Sequence, residues 1–205
     1  TSVAGVAQRT GATIYYIEMA PQGGEGTAMP VFSLAPSGGD VDIMIAAEMM
    51  EAGRAILRGF VTPDRTTLIA SSHRTLALSE KMTPGDGIAS SDEVRAAAEI
   101  AADQLILFDM DKLAADNGSV ISSALFGALA GSGALPFPRL AFEEAIRASG
   151  KGVAASLRAF GAAYTRAQSP DPEAPPAEAP PAPMLASSDP GPRGPARLLS
   201  QWQAL

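Results

Sequence analysis

The chain has 205 residues and a mass of 20.9 kDa, a length that favours one domain with a single sizeable core over two. Hydrophobic residues make up 46% and charged residues 18%, which places the bulk of the chain among globular sequences. Fifteen Lys and Arg against 22 Asp and Glu give a net charge of -7 and a pI near 4.7. No basic run offsets that balance, so neither nucleic acid nor an anionic membrane surface is expected as a partner.

The absence of cysteine removes disulfides, thiolate nucleophiles, Cys-type zinc sites and any iron–sulfur cluster held by this chain alone. Such a cluster must sit on a partner. His73 is the only imidazole, which excludes His-rich metal sites, and no carboxylate spacing marks a metal loop. No apolar run reaches the roughly 20 residues of a bilayer span and no signal-peptide pattern is present, so the expected location is cytoplasmic.

In chain order, residues 1–11 read as a Gly-containing polar loop, and Thr1 in place of Met marks the expected start of an internal fragment. Residues 12–19 (ATIYYIEM) are rich in β-branched and aromatic side chains and precede Pro21, Gly23, Gly24 and Gly26, the pattern of a strand running into a turn. Residues 41–47 (VDIMIAA) predict a second strand, and 48–60 a helix with Met49, Ala52, Ile56 and Phe60 on one face. Thr62 and Pro63 break it, and 66–71 (TTLIAS) predict a buried strand. Ser90-Ser91-Asp92-Glu93 then offers a capping box for a helix to about 103.

Residues 105–110 (LILFDM) form the continuous apolar run of a strand covered on both faces, and Asp111 opens a further helix or turn. Beyond Ser119 the spacing is helical, through Val120, Leu125 and Leu129, then Phe142 and Ile146, with Pro136 and Pro138 between. A third stretch, 153–166, carries Leu157, Phe160 and Tyr164. Strands alternating with helices imply an α/β, three-layer sandwich with a mostly parallel or mixed sheet and a helical C-terminal portion; the first strand is free to run antiparallel.

Composition divides the chain into a folded 1–168, a linker over 169–196 and a short segment 197–205. Ten prolines fall between 169 and 195, so a disordered, semi-extended tail is expected, serving as a spacer or as a PxxP ligand. In RLLSQWQAL, Leu198, Leu199, Trp202 and Leu205 have helical spacing, the mark of an amphipathic stub too short to stand alone.

Two segments carry candidate binding chemistry. Gln8, Arg9, Thr10 and Gly11 combine a carboxamide, a guanidinium, a hydroxyl and a flexible backbone before a strand, able to hold a carboxylate or phosphate. The same residues equally suit a turn in which Arg9 is paired internally. Ser71, Ser72, His73 and Arg74 follow a strand, at the carboxyl edge where ligands of open α/β sheets bind. A Ser-His nucleophile is not expected there, because GxSxG is absent and near neighbours rarely orient for proton transfer.

The remaining motifs read as structure. The Gly-rich stretches 22–26 and 127–133 lack phosphate-loop and dinucleotide patterns and read as a loop and a closely packed helix. Glu48 with Glu51 and Glu143 with Glu144 read as solvated helix faces, and Met44, Met49 and Met50 as core.

Residues 1–13 (TSVAGVAQRTGAT) resemble the signature of the γ domain of 2-oxoacid:ferredoxin oxidoreductases, in which Gly-Met-Ala/Ser-Gln-Arg-Gly-Gly leads into a strand. The likeness continues in order through 39–54 (GDVDIMIAAEMMEAGR), 125–136 (LFGALAGSGALP) and 142–164, with EEAIR and LRAFGAAY. QRTGAT and YYIE are most similar to the β subunit of the indolepyruvate branch. The family's opening strand, Gly-rich turn and first helix have no counterpart, Thr10 stands for a common Gly, and Ser156 for a frequent Asn.

The resemblance implies oxidative decarboxylation of an aryl-2-oxoacid such as indolepyruvate to an acyl-CoA, with electrons passed to ferredoxin. Thiamine diphosphate, Mg and iron–sulfur clusters would be carried by a partner α subunit, through which ferredoxin is reached, with CoA as co-substrate and no cofactor bound by this chain alone. The chain would close over or shape the partner's site, with Gln8, Arg9, Thr10 and Gly11 as contacts, and would not be active alone. The competing reading is a stand-alone module binding a nucleotide or CoA-like anion at the 71–74 edge; a scaffold-only fragment is the third.

Overall fold

The computed structural model describes residues 2–6, 13–20, 30–74 and 91–169, and the statements below are of these. The chain divides between Pro172 and Glu173, and every described residue falls in the first unit. The expected linker beyond Ser169 and the 197–205 stub lie outside the described residues.

A hairpin comes first, β1 (Ser2–Val6) and β2 (Thr13–Ile17). There follow β3 (Ile43–Ala46), α1 (Met49–Leu57), β4 (Thr67–Ser71), α2 (Ser91–Ala101) and β5 (Gln104–Phe108). The rest is helical: α3 (Met110–Asp116), α4 (Ile121–Ser132), α5 (Arg139–Ser149) and α6 (Val153–Ala167). The architecture is α/β and three-layered.

The central sheet has the order β3-β4-β5 and is parallel throughout. Its middle strand is buried along its whole length, so alternate side chains feed two cores. Leu68 and Ala70 pack with Ala52 and Ala55 of α1 and Ala98 of α2. Ile69, with Ile106 and Phe108 of β5, packs against Ala114 of α3, Ala124 and Ala128 of α4 and Ala163 of α6. Small helix residues let both layers sit close, and the large side chains come from the sheet. Met49 is buried and Met44 packs against the first layer's core, while Met50 is half-buried.

Two expectations change. Residues 2–6 are not loop: Ser2–Val6 pairs antiparallel with β2, from Ser2↔Ile17 to Val6↔Thr13. Val3 and Val6 carry strand propensity that the neighbouring glycine obscures, and β2 supplies the backbone partners. The first strand thus belongs to a separate two-stranded sheet. The strand expected over 105–110 ends at Phe108, because the Asp109 carboxylate accepts the Lys112 N–H at 2.8 Å and starts α3.

The glycines of α4 set the depth of the outer layer. A Cβ on Gly127 would lie 2.3 Å from the Phe160 carbonyl oxygen, and one on Gly131 would lie 2.6 Å from that of Tyr164. Backbone therefore meets backbone where α6 crosses α4. A third cluster, Phe142 and Ile146 of α5 with Phe160, closes that side. The Arg139 guanidinium lies 4.6 Å from the Tyr164 ring centroid, and Glu143 accepts from both Arg139 and Arg147.

Two predictions follow from this packing. Gly127→Ala destabilises by about 2–3 kcal/mol because a backbone carbonyl cannot yield. Gly161→Ala, whose Cβ would meet only the flexible Arg139 side chain at 3.5 Å, stabilises by roughly 0.5–1 kcal/mol through helix propensity; urea unfolding of both variants checks the opposite signs. The Arg139 and Arg147 hydrogen bonds hold the Glu143 carboxyl below its ordinary 4.5. Its contribution is therefore complete above pH 4.5 and is lost as pH falls through the lowered value. Glu143→Gln lowers the thermal midpoint at neutral pH, and the gap from the parent protein closes in acid.

Candidate functional site

β4 emerges at the carboxyl edge of the sheet, and its last residues are laced into three neighbours. Residues two apart on extended backbone share a side, which puts Ser71 Oγ 2.7 Å from His73 Nδ1. Met110 N–H, opening α3, donates to the same Oγ at 3.0 Å. Oγ thus accepts from Met110 and shares a second hydrogen bond with Nδ1. Ser72 N–H donates to Phe108 O at 2.9 Å, and Met49 N–H, opening α1, donates to His73 O at 3.1 Å.

This lacing decides what each predicted edge residue can do. Ser71 is wholly buried and bonded on both sides, so it ties β4 to α3 and offers nothing to a ligand. Ser72 is buried as well, while His73 and Arg74 reach the rim half-buried. The structure does bring Ser71 and His73 together, contrary to the expectation for near neighbours. The pairing is nonetheless no nucleophilic dyad, since a buried hydroxyl receiving a backbone N–H has no access to a substrate.

Glu48 departs from the solvated-face expectation. It stands at the N-cap of α1, two residues past the end of β3, and its Oε2 is buried with no hydrogen-bond partner among the described residues. The positive end of α1 favours a carboxylate there. A Glu between the last small residue of a strand and the first of a helix, where Ser or Asp is usual, was the available signal. Glu51 instead pairs with Arg54, and Glu143 with its two arginines; Glu144 is exposed.

Gln8, Arg9, Thr10 and Gly11 lie outside the described residues. Val6 and Thr13 on either side of them form the last pair of the β1–β2 ladder, so the segment bearing them joins the two strands. Farther along β2, the Tyr16 hydroxyl donates to the Glu18 carboxylate, which pushes the phenol up to about 12. Tyr16 therefore keeps its proton at neutral pH and does not act as a base. The other Glu18 oxygen accepts Ser33 N–H at 2.7 Å and fastens the 30–34 segment to the end of β2.

Among the described residues no three His, Cys, Asp or Glu side chains converge, and the donor set holds no thiolate for a cluster. Without a thiolate these residues do not fit an iron–sulfur cluster. Residues 1–166 of the chain match the family model of pyruvate ferredoxin/flavodoxin oxidoreductase. The chain belongs to this family. Neither the curated proteins nor the solved structures contain a match.

Membership makes this oxidoreductase-family chain a subunit of a 2-oxoacid:ferredoxin oxidoreductase. Enzymes of the family use thiamine diphosphate, iron–sulfur clusters and CoA, and work as multi-subunit complexes with ferredoxin. At this chain's sheet edge Ser71 is buried and bonded to Met110 and His73.

The tie is testable. Ser71→Ala leaves the Met110 N–H buried without an acceptor and costs about 1–3 kcal/mol. His73→Ala costs less, because Oγ keeps accepting from Met110. Urea unfolding with exchange of the Met110 amide checks this: faster exchange is expected in Ser71→Ala alone, and equal losses would contradict it.

Proposed function

We propose that this chain is the indolepyruvate-type β subunit of its family, with a γ-type oxidoreductase domain over residues 1–168, working in the cytoplasm. It shapes or closes the site of an α subunit that carries thiamine diphosphate, Mg and iron–sulfur clusters. The observation that carries the reading is a family match over residues 1–166 in a chain without a single cysteine. A subunit of a cluster enzyme that cannot ligate a cluster leaves the redox chemistry to its partner.

The overall reaction removes carbon dioxide from an aryl-2-oxoacid, transfers the acyl group to the CoA thiol and passes electrons to ferredoxin. What this chain adds is anion recognition from the segment joining β1 and β2. Arg9 supplies a planar fork of donors that matches a carboxylate or phosphate, and the Gln8 amide and Thr10 hydroxyl supply neutral donors beside it. Gly11 gives the backbone room for a close approach. Support for the indolepyruvate branch comes from QRTGAT and YYIE.

The experiment is purification of the tagged chain from its native cells, with the absorbance spectrum and 2-oxoacid-dependent dye reduction of the eluate. A brown complex reducing dye faster with indolepyruvate than with pyruvate is expected. Arg9→Ala should raise KM for the oxoacid or CoA roughly 10- to 100-fold, the loss of one charge-assisted hydrogen bond. A colourless, inactive monomer overturns the subunit reading, preference for pyruvate overturns the aryl branch, and unchanged kinetics of Arg9→Ala removes its role.

A further inference from the structure

Asn117 is the only asparagine in the 205 residues, and a glycine follows it. The pair ends α3, with Asn117 at the C-cap and Gly118 at a left-handed φ of 70°. Glycine suits that position because a Cβ there brings strain. The same lack of a Cβ leaves the Gly118 nitrogen unhindered toward the neighbouring amide. Termination of the helix therefore sets side by side the two residue types that form a succinimide most readily. Asn117 is half-buried and Gly118 exposed, so water reaches the pair.

The reaction needs no group beyond the chain and solvent. The Gly118 nitrogen bonds to Asn117 Cγ, the Cγ–Nδ2 bond breaks, and Nδ2 leaves as ammonia with the proton from the Gly118 amide. Water then opens the ring. Cleavage at Cγ gives aspartate, and cleavage at the main-chain carbonyl carbon gives isoaspartate, in which the chain runs through Cγ.

The native fold opposes ring closure at each atom it involves. A ψ of 3° at Asn117 eclipses the Gly118 nitrogen with the Asn117 nitrogen, whereas closure needs it eclipsed with Cβ. The Gly118 N–H donates to Ala115 O at 2.9 Å, which occupies the nucleophile. The Asn117 Nδ2 amide donates to Leu113 O at 2.8 Å, and Arg158 of α6 donates to the Asn117 carbonyl oxygen at 3.0 Å. These bonds must open together for the ring to form.

We propose that Asn117-Gly118 is a latent modification site. It is closed in the native fold, converts to aspartate or isoaspartate in chains whose α3 end has opened, and then keeps that end open. A carboxylate cannot donate to Leu113 O, and it brings negative charge to the negative end of the helix dipole. Lys112, the only cation of α3, is already paired with Asp116. Loss of ammonia to solvent makes the change one-way.

The test incubates the full chain at neutral pH, folded and in urea, and follows the tryptic peptide 113–139 by mass spectrometry and chromatography against aspartate and isoaspartate standards. Conversion at least about tenfold faster in urea is expected, because the folded chain reacts only through local opening. Arg158→Ala should speed conversion of the folded chain about 2- to 10-fold, the worth of one hydrogen bond, and leave the rate in urea unchanged. Gly118→Ala, compared in urea where folding does not enter, should slow conversion. Asn117→Asp should lower the thermal midpoint of the chain by roughly 2–6 °C.

Equal rates in the folded chain and in urea overturn the closure by the fold, and no conversion in urea overturns the site itself. An unchanged midpoint in Asn117→Asp overturns the claim that the product keeps the end open. An unchanged folded rate in Arg158→Ala removes that bond from the closure.

Discussion

The close crossing of α4 and α6 governs the rest of the fold. At Gly127 and Gly131 there is no room for a side chain, since a Cβ would fall 2.3 and 2.6 Å from the carbonyl oxygens of Phe160 and Tyr164. That approach brings Ala163 of α6 into the core beneath the sheet, beside Ala124 and Ala128 of α4. It also turns Phe160 outward into the cluster with Phe142 and Ile146. One layer thus serves two cores. The sheet it supports is short and parallel, and its carboxyl edge is fixed by the ties from Ser71, Ser72 and His73 to the starts of α1 and α3 and the end of β5.

The ties leave Ser71 and Ser72 buried at the carboxyl edge, with His73 and Arg74 half-buried at its rim. An enzyme that binds within its own sheet edge needs polar groups converging on a cleft. Here Ser71 is bonded inward, and no metal-holding group forms among the described residues. Exposed apolar side chains of β2 include Tyr15 and Ile17. On the proposed reading, a rigid α/β body carries Gln8, Arg9 and Thr10 to a partner's site.

The sequence made the α/β alternation legible because each parallel strand is an apolar run bounded by turn residues, as in LIAS and LILF, and each helix has one apolar face. The packing role of Gly127 was readable too, since a glycine inside an apolar helix signals close approach. Other features depend on partners distant in sequence. Val3 and Val6 give too weak a signal for a strand until β2 lies beside them. The burial of Ser71 follows from the full coverage of β4, and its bond to Met110 spans 39 residues. Glu48 looks like a solvated helix residue until the sheet edge sets it at the N-cap. The motif around Arg9 was legible as chemistry, although residue types alone do not separate ligand contact from internal pairing.

Hydrogen–deuterium exchange of the chain, free and in the complex purified from its native cells, tests the division of labour most directly. The account predicts equal protection of residues 71–74 in both states, because the bonds of Ser71, Ser72 and His73 are internal. Protection gained at 71–74 in the complex would contradict it and place the binding surface at the sheet edge.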